Sequence, residues 1–174
     1  FQAKEPENIN VIIKEKIEEL YRTRNTVLNE IKKIKRKPLN EEETFNANIF
    51  VGKNGMRIIF EEMLDCEKSI SLLAAEYQFK SLFGSYFEQW HKRRIAKKIK
   101  QRTILPRKFQ ATVKNRKYLE FKFVDNEYTN PTSTFIYGDN CVFIQWSEQP
   151  IAIHIQNKEI AVTHLNYFNM LWNL

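Results

Sequence analysis

Apolar side chains recur at Ile13, Ile17, Leu20, Val27, Ile31 and Ile34, with Arg24 filling the gap, so that steps of four and three residues alternate. That period puts all seven positions on one stripe of a helix and forms a coiled-coil seam. Ile9, Ile12 and Leu28 widen the stripe, which suits either self-association or packing on the chain's own domain. Pro6 fits a first helical turn, and Lys37-Pro38 ends the pattern, because proline disfavours helix at the residue before it. The spacing therefore predicts a helix over 6–37, followed by a polar, acidic linker over 38–47.

From residue 48 the pattern changes. A short apolar run at 48–51 predicts a strand, Gly52-Lys53-Asn54-Gly55 a turn, and 56–64 a helix with Ile58, Ile59, Phe60 and Met63 inward. A buried strand is expected at 69–74. Aromatic residues at helical spacing (Phe79, Phe83, Tyr86, Phe87, Trp90) predict one helix over 79–98, mostly core. A strand follows at 98–105, ended by Pro106, and an irregular β region extends through 118–124. Strands at 133–137, 141–146 and 151–155 are separated by Gly138-Asp139-Asn140 and Ser147-Glu148-Gln149-Pro150, both hairpin signals. A helix over 158–172 places Ala161, Leu165, Phe168 and Trp172 on one face. Strands alternating with helices, then consecutive strands, define an α/β fold: a mixed sheet flanked by helices, preceded by the long helix.

At 174 residues and 43% hydrophobic, the chain has material for one core, here 48–174, plus a helical appendage at 1–37. Cys66 and Cys141 are its two cysteines, with no CxxC or Cys/His spacing; neither a disulfide framework nor a zinc site is indicated, and a reducing, cytoplasmic setting fits. No apolar run approaches the roughly 20 residues that span a bilayer, and 1–5 does not read as a signal peptide, so no membrane partner is expected. Charge is uneven: 1–122 carry 27 Lys/Arg against 16 Asp/Glu, whereas 123–174 carry one Lys against five acids. Between Glu88 and Glu120, the run 92–117 contains Lys92, Arg93, Arg94, Lys97, Lys98, Lys100, Arg102, Arg107, Lys108, Lys114, Arg116 and Lys117 and no acid at all. Such a run either solvates a helix face, gives weak sequence-independent contact with DNA, or meets an anionic effector.

For chemistry, no GxSxG elbow, P-loop, GxGxxG or HExxH occurs. His91, His154 and His164 share no spacing that would unite them as ligands or as an acid/base pair, so each reads as structural, and neither a metal nor a cofactor is expected. At Gly52, Lys53, Asn54 and Gly55 a strand feeds a helix N-terminus, where free N–H groups and Lys53 could hold an anion, although paired glycines more often serve backbone conformation.

Four motifs in order carry a resemblance: Phe1-x-Ala3-x-x-Pro6-Glu7 entering a long helix, Phe50-Val51-Gly52-x-x-Gly55-Met56, Ile136-Tyr137-Gly138-Asp139, and Tyr167-Phe168-x-x-Leu171-Trp172. Together the chain resembles the C-terminal half of archaeal TrmB-like transcription regulators. The resemblance implies a coiled-coil dimerisation helix leading into an effector domain of phospholipase D-like fold, sugars as effectors in founding members, and a winged-helix DNA-binding domain upstream of Phe1. It implies a homodimer through Ile13, Ile17, Leu20, Val27, Ile31 and Ile34, and DNA contact made chiefly by that upstream domain. It also tests an enzyme reading. The phospholipase D motif is His-x-Lys-x4-Asp; with Asp139 aligned to its aspartate, Thr132 and Thr134 occupy the histidine and lysine positions, so no phosphodiesterase chemistry is expected. For a sugar, the hairpin region offers Ser133, Thr134, Tyr137, Asp139, Gln145, Trp146 and Glu148 as a candidate site, with planar amide and carboxylate partners and an aromatic face. The expected function is the effector-sensing and dimerisation part of a regulator. The alternatives are a pure dimerisation scaffold with no small ligand, or a phospholipase D-like phosphodiesterase.

Overall fold

The computed structural model describes residues 8–34, 46–74, 78–125, 127 and 131–174, and within the first helix the side chains of 9–20, 22, 23, 26 and 27. The chain divides into two units, Phe1–Glu42 and Glu43–Leu174. The division falls inside the expected linker, most of which lies outside the described residues.

Among the described residues the first unit holds the helix α1 (Asn8–Ile34). On its stripe Ile13, Ile17, Leu20 and Val27 are 50, 46, 67 and 51% exposed. The side chains of Arg24, Leu28, Ile31 and Ile34 lie outside the described residues, as do Pro6 and the Lys37-Pro38 stop.

The second unit is built on a seven-stranded mixed sheet of order β1-β7-β6-β5-β2-β3-β4. Its strands are β1 (Asn46–Val51), β2 (Ile70–Leu73), β3 (Gln101–Pro106), β4 (Leu119–Val124), β5 (Thr132–Tyr137), β6 (Asn140–Gln145) and β7 (Ile151–Gln156). β2, β3 and β4 are parallel neighbours, and β5 is antiparallel to β2. The rest is an antiparallel meander in which β7 returns to β1. Consequently the carboxyl ends of β1, β2, β3, β4 and β6 and the starts of β5 and β7 share one end of the sheet, called here the upper end.

The helices are α2 (Gly52–Cys66), α3 (Gln78–Phe83), α4 (Ser85–Ala96) and α5 (Lys158–Asn173). α2, α3 and α4 supply one face with Met56, Ile59, Phe60, Met63, Leu64, Phe83, Phe87 and Trp90, which pack against Ile70, Phe135, Tyr137, Val142 and Ile144 of the strands. The other face holds a smaller cluster of Ile104, Ile136, Cys141 and Phe168, with Leu165 and Trp172 of α5 packed beside it, as the predicted face of that helix requires. α5 opens on an N-cap: the Asn157 side chain accepts a hydrogen bond from Ile160 N at 3.0 Å.

Four expectations are corrected. The helix expected over 79–98 is two helices, because Gly84 takes φ +48°, a left-handed conformation that costs glycine little. Gly52 to Gly55 is not a free turn but the first turn of α2. Ile58 points outward, at 57% exposed, and Met56 takes the inward place. The strand expected from Lys98 begins at Gln101, after Lys98 adopts a left-handed φ and its N–H closes the last turn onto Ile95 O.

Candidate functional site

The seven residues expected to hold a sugar do not form one site. Ser133, Thr134, Gln145 and Trp146 lie at the upper end, whereas Tyr137 lies at the far end of β5, four residues and about 13 Å from Ser133 along an extended strand, with Asp139 in the turn beyond it. Trp146 and Ser133 do meet, but as core: both are buried, and Trp146 Nε1 donates to Ser133 Oγ at 2.8 Å. Tyr137 is buried too, its hydroxyl against Glu62 Oε1 at 3.3 Å, and burial followed by that carboxylate raises its pKa. Gln145 and Glu148 are exposed at the upper end, at the end of β6 and in the turn that follows it, and Asp139 is exposed at the other end.

The α2 N-terminus has structural reasons for its sequence. Gly52 has φ +73° and its N–H donates to Pro150 O at 2.7 Å, so one of the expected anion donors is already used. A Cβ on Gly55 would stand 3.1 Å from Phe50 Cβ, so this glycine lets α2 lie against β1. Lys53 and Asn54 are exposed, and no ligand partner for them is evident among the described residues.

The basic run is not one surface. Arg94 is fully buried, and its guanidinium donates to the carbonyls of Ile99, Tyr118 and Lys117, tying the end of α4 to the starts of β3 and β4. Burial, and then the charge of Arg116, pushes its pKa down to about 10. Arg93 pairs with Glu61, whose pKa that hydrogen bond lowers, Lys97 with Glu67, and Arg116 with both oxygens of Glu88 at 2.9 Å. Arg102 stacks on Phe168 and Trp172. Of the rest, Lys92 is exposed on α4 and Lys114 between β3 and β4, while Lys98, Lys100 and Lys117 immediately precede β3 and β4 and form, with Lys68 before β2, an exposed band at the lower end.

His91 is the one strongly perturbed histidine among the described residues. Burial, then the charges of Arg94 and Arg116, pushes it down to about 3, so it is neutral, with Nδ1 facing Arg94 Nε at 3.3 Å. It borders a cavity of about 40 Å³ beneath β2, β3 and β5, shared with Gln101, Thr103, Ser133 and the aromatic side chains of α3 and α4. Gln101 Oε1 is buried there without a hydrogen-bond partner. A void of roughly 10–15 Å³ already accepts a water, whereas the cavity known to take benzene is roughly 150 Å³, so this space suits an ordered water and excludes a sugar. His154 meets Asn140 Oδ1 at 2.9 Å and Glu62 at 3.4 Å, and His164 lies against the Phe143 and Tyr167 rings; the three histidines do not converge. Burial alone pushes the Cys141 thiol up to about 12, and both cysteines are free. Among the described residues no group of His, Cys, Asp and Glu could hold a metal ion.

Space of ligand size lies elsewhere, at the upper end on the α5 face. A groove of about 550 Å³ is floored by Leu73, Ile104 and Val124, walled by Leu171 and Leu174, and edged by Pro106, Arg107, Lys122 and Asp125. It falls within the 300–1,000 Å³ typical of small-molecule sites, at the carboxyl ends of three parallel strands, where α/β sheets habitually bind ligands. Lys122 Nζ donates to Trp172 O at 2.8 Å, and Arg107 Nε lies 3.4 Å from Asp125 Oδ1. A second hollow of about 600 Å³ follows the outer edge of β4 past Asn115, Glu120 and Phe121; it is more open and more polar. The sequence concealed the first groove because its walls come from four segments far apart in the chain.

With this geometry the fold defines a class: a phospholipase D-like mixed sheet flanked by helices. Solved structures that the chain resembles include TrmBL2, described as an archaeal chromatin protein with a novel mode of DNA binding, at 15% identity and a TM-score of 0.54 over 96% of this chain and 67% of that one. They also include NucT from Helicobacter pylori, at 9% identity and 0.52 over 74% and 96%, and Nuc from Salmonella typhimurium, a phospholipase D family member, at 8% identity and 0.56 over 74% and 95%. No protein-family model and no curated protein matches the sequence. Among the described residues no helix is long and apolar enough to cross a membrane.

Proposed function

We propose that this chain is the non-catalytic, ligand-sensing and self-associating part of a transcription regulator, on a phospholipase D-like domain that does not hydrolyse phosphodiesters. The observation that carries the reading is at the upper end of β5. Where that superfamily's motif places histidine and lysine, Thr132 and Thr134 stand half-buried in the strand, and the chain's three histidines sit in α4, β7 and α5. A threonine hydroxyl has neither the imidazole's nucleophilic nitrogen nor the lysine's charge. The exposed apolar positions Ile13, Ile17, Leu20 and Val27 of α1 support self-association, since an apolar seam gains stability when a second helix covers it. Fold-level likeness to an archaeal chromatin protein with a novel mode of DNA binding supports the regulatory setting, with weak DNA contact at the lower-end lysines.

The test is hydrolysis of bis-nitrophenyl phosphate by pure protein. The expected rate equals that of buffer, with and without added divalent metal. Turnover lost in a Thr132→Ala variant would replace the sensor reading with an enzyme.

A further inference from the structure

We propose that the groove between the end of α5 and the carboxyl ends of β2, β3 and β4 binds an amphipathic monocarboxylate, its chain over Leu73, Ile104 and Leu171 and its carboxylate on Arg107. As an effector site this rests on the sensing reading; as a binding site it stands on the groove alone.

Size removes the cavity beneath the sheet, which holds about 40 Å³ against about 550 Å³ here. The hollow of about 600 Å³ along β4 is as large, but it is more open and more polar and gives a hydrocarbon chain less burial. The floor is aliphatic, with Ile104 buried and Leu73 and Val124 packed around it. It offers a hydrocarbon chain apolar burial and offers a sugar's hydroxyls almost nothing to bond.

Charge then selects the head group. Arg107 and Lys122 face the groove against a single acid, Asp125, so a cationic amphiphile is disfavoured and an anionic one favoured. The Arg107 to Asp125 contact is long, at 3.4 Å, and its side chains are 61% and 71% exposed. A pair so placed exchanges readily, and a ligand carboxylate can take the guanidinium in a two-pronged contact that Asp125 does not make. Lys122 plays a different part. It pairs across the sheet with Ile104, three residues before Arg107 and about 10 Å back along the strand, and its ammonium already caps the end of α5 at Trp172 O. With Lys122 already engaged at Trp172 O, Arg107 makes the contact at the lip while Lys122 lends the inner wall positive potential.

The experiment is calorimetric titration of the full chain with octanoate, acetate, octylamine and glucose. Octanoate is expected to bind with a dissociation constant on the order of 0.1–1 mM, as its size allows, and the other three at least roughly tenfold more weakly. Arg107→Gln should weaken octanoate about tenfold, and Arg107→Lys should restore part of the loss. Because Arg107 is exposed, neither variant should shift the melting temperature. Octylamine or glucose matching octanoate, no octanoate binding at several millimolar, or binding indifferent to Arg107→Gln would each overturn the proposal. Absence of octanoate binding in a chain that dimerises and leaves phosphodiesters intact sinks this inference and leaves the regulator reading standing.

Discussion

The two faces of the sheet differ in how they are closed. On one, three helices seal an aromatic layer in which the Phe60 ring stacks on Phe79 at 3.9 Å and meets Phe83, Trp90 and Phe135 edge-on. On the other, among the described residues of this unit, α5 lies over the middle of the sheet, leaving the groove at the upper end and, toward β1, a ribbon where Ile49 pairs with Ile153 and Val51 with Ile151. These four side chains are exposed, although their sequence is as apolar as any core strand. The number of helices available to cover a face, more than the hydrophobicity of its strands, decides which face becomes packed core and which stays open for binding.

Breaking the sealed face should cost most. Phe60→Ala, at a fully buried position touching four rings, is expected to lower unfolding free energy by about 3–5 kcal/mol in urea titration. A loss under about 1 kcal/mol would mean the aromatic layer is not the packed side.

The same face should be sensitive to acid. His91, held down to about 3, excludes from the folded chain a proton that the unfolded chain takes up below about 6.5. Its contribution is complete above pH 6.5 and is lost as pH falls toward 3, at up to about 1.4 kcal/mol per unit. Between pH 6.5 and 5 that is a loss of about 2 kcal/mol, which His91→Gln should largely remove. Equal pH slopes for both proteins would show that His91 is not the buried neutral group described.

Substitution on the open ribbon should be mild by contrast. Ile153→Thr keeps strand propensity at an exposed position and should alter stability by no more than about 0.5 kcal/mol. A loss comparable to that of Phe60→Ala would erase the distinction between the faces.

The smallest effect concerns DNA. With most of the arginines in the run engaged within the protein, the lower-end band offers four lysines, and the salt dependence of any DNA affinity should have a slope of about −3.6 rather than that of the full run. A gel shift with two unrelated duplexes should show no preference, with binding fading as salt rises; a preference surviving near-physiological salt would show specific readout instead.

Much of this architecture was legible in the sequence. The last three strands, both hairpins and the buried face of α5 follow from alternation, turn residues and helical spacing. What pattern could not supply was position in space. Ser133 and Asp139 are close in sequence, yet an extended strand carries them to opposite ends of the sheet, so the candidate sugar site dissolved. Arg94 looked like one more cation in a basic run, but the tertiary fold turned it inward onto three carbonyls. Gly84 sits in a continuous aromatic period and still breaks the helix, because glycine tolerates the φ that the break requires. The groove has no local signature, being formed where β2, β3, β4 and α5 end.

Self-association through α1 would separate a regulator's sensing part from a monomeric domain of the same fold. Sedimentation equilibrium at high micromolar concentration decides between them, comparing the chain with an Ile17→Asp, Leu20→Asp variant whose substitutions fall on exposed positions of the stripe. A dimer is expected for the chain and a folded monomer for the variant; a strictly monomeric chain, or a variant that remains dimeric, would overturn the proposed self-association.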